Sequence, residues 1–405
     1  MLSRRAVLAT GASAGLAAVA GCLSTHSFAD LETDSDSWRL SRYDPQNTGH
    51  NADATVPNEP EERWRVELDS PGRDVDGLVV GEDVVVAGSE AETSRSLVAL
   101  ERDDGGVRWE DEDADVAALA LGDETVYTTA DDGHVAAYDR ETGERTWETA
   151  GASGSTIHGV WLLFDGETLY RGDESRLTAY DAEDGDERWH LSGYGASAIE
   201  DGRLLRGNAG LTAYESPTES VRFDDREPEP RWEASGGGYG TFPVVWEDRV
   251  LTGARFWSFD DDFARLQAHR IDDGELEWER EFSDARVTSP VIVDDRAIFH
   301  VGRGDRDDAP AEPSTLAAVD REGTIHWELE TEWERPTLAA AGETLLVGGD
   351  ADDADLVAID PTGGERRWER DLQGDSVQVA SAAALAPVDG ELFVGTGHSH
   401  VVAYG

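Results

Sequence analysis

The sequence predicts an all-β chain made of one unit written eight times, and three observations predict it. First, seven stretches share an apolar-x-Ala opening, a turn and a closing Trp: Leu97–Trp109, Val135–Trp147, Leu177–Trp189, Leu211–Trp232, Leu266–Trp278, Leu316–Trp327 and Leu356–Trp368. The Ala-to-Trp distance is ten residues in five of them, nine in Ala318/Trp327 and nineteen in Ala213/Trp232, where Ser216–Pro230 is inserted. Second, two half-units flank the series. Trp64 closes a strand with no Ala strand before it, and His400–Tyr404 carries an Ala strand, through Ala403, with no Trp after it. Third, the runs between the motifs are short and β-branched, as in Asp83–Ala87, Glu124–Thr128 and Thr344–Gly348, and Gly, Asp or Asn bounds them. Beyond the N-terminal segment no stretch has the 3.6-residue apolar period of an amphipathic helix.

The eight Trp recur about every 43 residues. Four short strands at that period describe a β-propeller blade. The offset half-units supply the closure: the strand around Trp64 pairs with the strand around Ala403 in one shared blade, which removes the exposed sheet edge. The expectation is an eight-bladed β-propeller of four-stranded antiparallel blades over residues 38–405, its last blade closed by the N-terminal strand. Trp64, Trp109, Trp147, Trp189, Trp232, Trp278, Trp327 and Trp368 are then structural docking residues, each ending an outer strand where a flat ring can pack on the next blade. The Gly of the turn permits φ > 0, and the Asp before it can bond the turn backbone.

Composition bounds the function. The 405 residues are 39% hydrophobic with 13 Trp, enough for a substantial core. There are 87 acidic residues against 34 basic ones, all of them Arg, for a formal net charge of -53. That field repels phosphate backbones, so no nucleic-acid partner is expected. The carboxylates are spread over every segment, which points to a salt-rich solvent, where the Debye length falls to roughly 3 Å at 1 M. The lone Cys22 excludes an intramolecular disulfide and a Cys-rich zinc site.

The N-terminus reads as an address. Ser3-Arg4-Arg5 precedes an apolar run from Ala6 to Ala20, too short for a comfortable membrane span, which ends in Val19-Ala20-Gly21-Cys22. This resembles a Tat-type lipoprotein signal over residues 1–21. The resemblance implies a lipidated Cys22 as the first mature residue, followed by an acidic tether over 22–37. Against a signal-anchor with an incidental Cys stand the paired Arg, the small residues and the position of the one Cys.

The repeat Ala137-Tyr138-Asp139-Arg140-Glu141-Thr142-Gly143-Glu144-Arg145-Thr146-Trp147 resembles the tryptophan-docking motif of the PQQ-like (pyrroloquinoline quinone repeat) β-propeller family. Thr241-Phe242-Pro243-Val244 and Thr288-Ser289-Pro290-Val291 are similar to that repeat's inner-strand opening. Trp38, followed by Asp44-Pro45-Gln46-Asn47-Thr48-Gly49, resembles the lead-in of many members. No closing Trp is followed by Asp, so the WD dipeptide is absent. The resemblance implies one of two branches. Quinoprotein dehydrogenases, acting on alcohols or sugars, hold pyrroloquinoline quinone and Ca²⁺; BamB-like lipoproteins are non-enzymatic scaffolds. This chain departs from the first branch. It lacks the adjacent Cys pair, any Lys and a c-type haem motif, and spends nearly all its length on blades. The expectation is a haloarchaeal-type, lipid-anchored scaffold at the extracytoplasmic face of the cell membrane, a monomer without cofactor or catalytic residues. Its partner would be an extracytoplasmic protein or a cell-surface ligand. The quinone-dependent oxidoreductase is the alternative.

Other constellations carry less. Asp350, Asp352, Asp353 and Asp355 offer oxygen ligands without the Gly and terminal Glu of a calcium loop. They read as solvated loop, as do Asp260–Asp262 and Asp305–Asp308. His398 and His400 have an i, i+2 spacing that puts both rings on one strand face, with no third ligand nearby in sequence, so no metal site is expected. Gly236–Gly238 reads as a link between blades. Ser216–Pro230 is the most distinctive departure from the repeat, either a recognition loop or a tolerated insertion.

Overall fold

The computed structural model describes residues 31, 33–68, 75–89, 96–114, 116–130, 132–151, 160–173, 175–193, 195–207, 210–215, 228–235, 239–257, 262–303, 314–333, 335–349, 355–372 and 382–405. Over these residues the short apolar runs form strands and the Gly- and Asp-rich breaks form turns, so each unit folds as an antiparallel meander. The first is Val75–Val80, Val84–Ser89, Ser96–Glu101 and Val107–Asp111, paired in that order. Eight such sheets follow one another, and the first strands of successive sheets lie against each other around a common axis. The chain is an all-β, eight-bladed propeller.

The Ala and Trp of the motif are cross-strand partners in every blade. Ala99 faces Trp109, Ala137 faces Trp147, Ala179 faces Trp189 and Ala213 faces Trp232. Ala268 faces Trp278, Ala318 faces Trp327 and Ala358 faces Trp368. All of these Ala are fully buried, where the indole opposite and the neighbouring blade leave room for a single methyl group. The register slips immediately after the Ala in each of these pairs. Such a bulge adds twist and carries the strand into its turn.

The eighth blade shuts the ring. Ala382–Val388, Glu391–Thr396 and His400–Tyr404 come from the C-terminus, and Glu62–Glu67 adds the outer strand with Trp64 opposite Ala403. Across the seam, Trp64 Nε1 donates to the carbonyl of Arg102 at 2.9 Å, and the Arg102 guanidinium pairs with Glu391 at 2.7 Å.

In the fifth and sixth blades the inner strand is broken. Tyr239–Gly240 and Val244–Trp246 both pair with Arg249–Trp257, and Ala285–Val287 and Val291–Val293 both pair with Arg296–Arg303. The breaks fall at Pro243 and Pro290, which have no N–H to give a ladder.

Candidate functional site

The lead-in seals one mouth of the ring. Its turn formers steer it there: Tyr43, Asn47 and Gly49 all have positive φ, at 73°, 59° and 66°. Its backbone meets the far ends of the first strands blade after blade. Trp38 exchanges two bonds of 2.8 Å with Val80, and the carbonyl of Arg39 accepts from Leu121. The carbonyls of Pro45, Gln46, Thr48 and Gly49 accept from Ile199, Val245, Ile292 and Ala340 at 2.8–3.0 Å. His50–Asn51 then runs parallel to Thr337–Ala341, and the carbonyls of Ser35 and Thr55 accept from Asp389 and Gly390 of the eighth blade. Seven blades are thus bonded by one short stretch. Ser35 and Asp36, assigned by sequence to the tether, already touch the wheel, Asp36 through its carbonyl to Arg102.

Side chains fasten the lead-in further. Asn47 Nδ2 donates to the carbonyls of Ser197 and Pro243 at 2.8 and 3.0 Å. Asp44 accepts from the N–H of Thr48 at 2.8 Å and from its hydroxyl. Burial pushes the Asp44 carboxyl up to about 6, with Thr48 and the Arg42 charge pulling the other way.

Above this floor lies a cavity of about 360 Å³ on the axis of the ring. Its walls are the starts of the first strands: Leu78, Leu119, Trp161, Phe242, Ser289 and Leu338 come from six different blades. Trp161 and Phe242 meet edge-on with centroids 6.4 Å apart. Its floor is Ser41 and Arg42. Arg42 donates through Nε to the carbonyl of Asn47 at 3.0 Å and through Nη2 to the carbonyl of Pro290. Burial lowers its pKa to about 10, opposed by the charge of Asp44. The Phe-Pro-Val and Ser-Pro-Val openings read in the sequence thus supply both wall residues and floor carbonyls. Arg42 itself was not singled out, being one of 34 Arg.

The docking Trp lie at the rim of the blades. Trp64, Trp109, Trp147, Trp232, Trp278 and Trp327 donate their indole N–H to a backbone carbonyl in the closing turn of the next blade, at 2.7–3.3 Å. Each ring also lies on the Gly of that turn: Gly105, Gly143, Gly185, Gly274, Gly323 and Gly364. A methyl group on any of these Gly would sit under 3.0 Å from the indole. The remaining two face the irregular places in the ring. Trp189 faces the blade carrying the insertion and packs on Tyr170 at 5.9 Å; Trp368 faces the seam blade and packs on its core.

Cys22, the signal segment, Gly236–Gly238, the runs around Asp260 and Asp305, residues 350 to 353 and most of the insertion lie outside the described residues. His398 and His400 do not share a strand face. Ser399 between them has φ 59° and belongs to the hairpin turn, and His400 Nδ1 bonds the carbonyl of His398 at 2.7 Å. Among the described residues no three His, Cys, Asp or Glu converge as metal ligands. The described lining of the cavity lacks groups that the quinone and calcium of the dehydrogenase branch would want. A calcium ion wants six to eight oxygens with carboxylates among them, and the described lining holds no carboxylate. A quinone bearing several carboxylates would meet one guanidinium, Arg42.

Comparison with known proteins agrees with the architecture. The structure is similar to the computationally designed Ika8 protein, with a TM-score of 0.64 at 18% identity over 85% of this chain and 99% of that one. It is similar to the quinohemoprotein alcohol dehydrogenase ADHIIG from Pseudomonas putida HK5, with a TM-score of 0.63 at 13% identity over 92% and 80%. A europium-containing methanol dehydrogenase matches with a TM-score of 0.64 at 12% identity over 90% and 91%. A search of curated proteins finds no match. The family model described as "Outer membrane protein assembly factor BamB" matches residues 52–253 and 208–405. With that match running from the lead-in to the C-terminus, the chain belongs to the BamB family of PQQ-like β-propellers.

Proposed function

We propose that this chain is a non-enzymatic binding or assembly scaffold, lipid-anchored at the extracytoplasmic face of the cell membrane. The observation that carries the reading is the chemistry of the axial cavity. Among its described lining residues the one titratable side chain is Arg42, already bonded to two backbone carbonyls. Among these described residues no carboxylate, imidazole or thiol joins it, and the hydroxyls of Ser41, Thr288, Ser289 and Thr337 have no base beside them in the described lining, whereas general acid–base work needs such a group within hydrogen-bond reach. A rigid wheel locked by its lead-in suits the display of loops to a protein partner.

The anchor rests on Ser3-Arg4-Arg5 and the Val19-Ala20-Gly21-Cys22 sequence. Ser35, the first residue bonded to the eighth blade, lies thirteen positions after a lipidated Cys22. Such a tether reaches at most roughly 45 Å.

Two measurements test this. Quantitative co-purification from cell-surface fractions in molar salt should retain a defined protein partner with the intact chain and lose it when loops at the cavity mouth are exchanged. Purified chain mixed with pyrroloquinoline quinone and Ca²⁺ should show neither a bound-quinone spectrum nor alcohol-dependent dye reduction. A quinone spectrum with turnover would replace the scaffold by the oxidoreductase. A Cys22→Ser chain that still fractionates with membranes would remove the lipid anchor.

A further inference from the structure

We propose that the axial cavity is a binding site for a small organic monocarboxylate with an apolar, ring-sized body, its carboxylate on Arg42. The inference does not depend on the scaffold reading.

The floor of the cavity is the first argument. Arg42 spends Nε and Nη2 on the carbonyls of Asn47 and Pro290. Those carbonyls carry no net charge, and among the described residues no carboxylate oxygen lies within 4.0 Å of its nitrogens. The charge of Asp44 offsets part of the burial cost of this guanidinium without a direct ion pair, and an arriving carboxylate would offset more of it with a charge-assisted hydrogen bond. Among the described residues Nη1 has no hydrogen-bond partner, and it belongs to the group that floors the cavity. A chain of formal charge -53 that turns a guanidinium towards an axial cavity whose described lining holds no carboxylate has a local preference opposite to that of its surface.

The walls set the body of the ligand. Leu78, Leu119, Trp161, Phe242, Pro336 and Leu338 are apolar or aromatic. The edge-on pair of Trp161 and Phe242 offers a flat ring both a face and an edge. A volume of about 360 Å³ lies at the small end of ligand pockets and admits one or two rings. One available guanidinium nitrogen favours one negative charge. A phosphate or a polycarboxylate would bring charge that nothing in the described lining neutralises.

The experiment is calorimetric titration of the purified full chain, in molar sodium chloride, with phenylacetate and with its neutral counterpart phenylacetamide. Phenylacetate is expected to saturate one site per chain and to bind about tenfold more tightly than the amide. Arg42→Gln should abolish that preference. Because Arg42 also holds the lead-in, a second variant leaves the floor intact: Ala118→Phe places a ring in the cavity from the half-buried start of the second blade. It should remove binding of both compounds while the circular dichroism spectrum is retained. Absence of saturable binding to the folded chain, equal affinity for acid and amide, or unchanged binding in folded Ala118→Phe each overturns the proposal.

Discussion

The indole of Trp64 lies on Gly105, so closely that a methyl group there would meet the ring at 2.9 Å. Trp64 belongs to the strand that closes the last blade and Gly105 to the closing turn of the first, so one contact joins the two ends of the wheel. Five further Trp repeat it between other neighbours. The Gly therefore answers two demands: a backbone at φ 74° and the absence of a side chain.

These two demands can be separated by mutation. Gly143 has φ 70° and would place a methyl group 2.7 Å from Trp109, whereas Gly202 has φ 68° and nothing within 4 Å. Gly202→Ala should cost about 1–2 kcal/mol, the left-handed backbone penalty alone. Gly143→Ala should cost about 2–5 kcal/mol, because displacing a packed ring is added. Denaturant titrations compare them directly, and equal losses would show that the indole contact is not a constraint.

The closing register can be locked. Arg65 pairs with Val402 and Val66 with Val401. Arg65→Cys combined with Val402→Cys, in a Cys22→Ser background, should oxidise to an intrachain disulfide. By constraining so long a loop it should add up to about 5 kcal/mol. Arg65→Cys with Val401→Cys should not bridge, because adjacent residues point to opposite faces. Non-reducing gels and thermal melts read both. Bridging of the second pair would mean the strand slides.

The lead-in should loosen as pH rises. Asp44 titrates at 3.8 when unfolded and about 6 in the fold, so the native state binds the proton more tightly between those values. The cost of ionising it is absent below 3.8, grows through that window and is complete above about 6, amounting to about 3 kcal/mol. Asp44→Asn stays neutral throughout. The stability of wild type relative to Asp44→Asn should therefore fall from pH 4 to pH 7, and a flat difference would remove Asp44 from the account.

Salt should decide whether the wheel holds. With 87 carboxylates against 34 Arg, lowering sodium chloride from molar to tens of millimolar should unfold the chain or sharply speed its unfolding. Circular dichroism against salt concentration checks this, and an unchanged unfolding rate would reject the assignment to a saline environment.

Much of the fold was legible because one spacing repeats. Ala and Trp at a fixed distance are two ends of a hairpin, and the offset of Trp64 from Ala403 announced the closure. The direction of docking was not legible, since a period does not say whether Trp109 meets its own turn or the next one, at Gly143. The path of the lead-in was hidden for another reason. Pro45, Gln46, Thr48 and Gly49 act through backbone carbonyls, which every residue type possesses. Arg42 was invisible among its fellows, and only the carbonyl of Pro290, 248 residues away, distinguishes it. For His398 and His400, spacing suggested a shared face, and the left-handed Ser399 took it away.

The stretch from Ser35 to Thr55 is among the first to leave the ribosome, yet its bonding partners include Ala340, Asp389 and Gly390, among the last. No chain that lacks the last two blades can seat it fully. Its bonds to Val80, Leu121 and Ile199 can form early, but those to Ala340, Asp389 and Gly390 wait for the last sheets, so a truncated product keeps part of its latch undone and is more open to proteolysis.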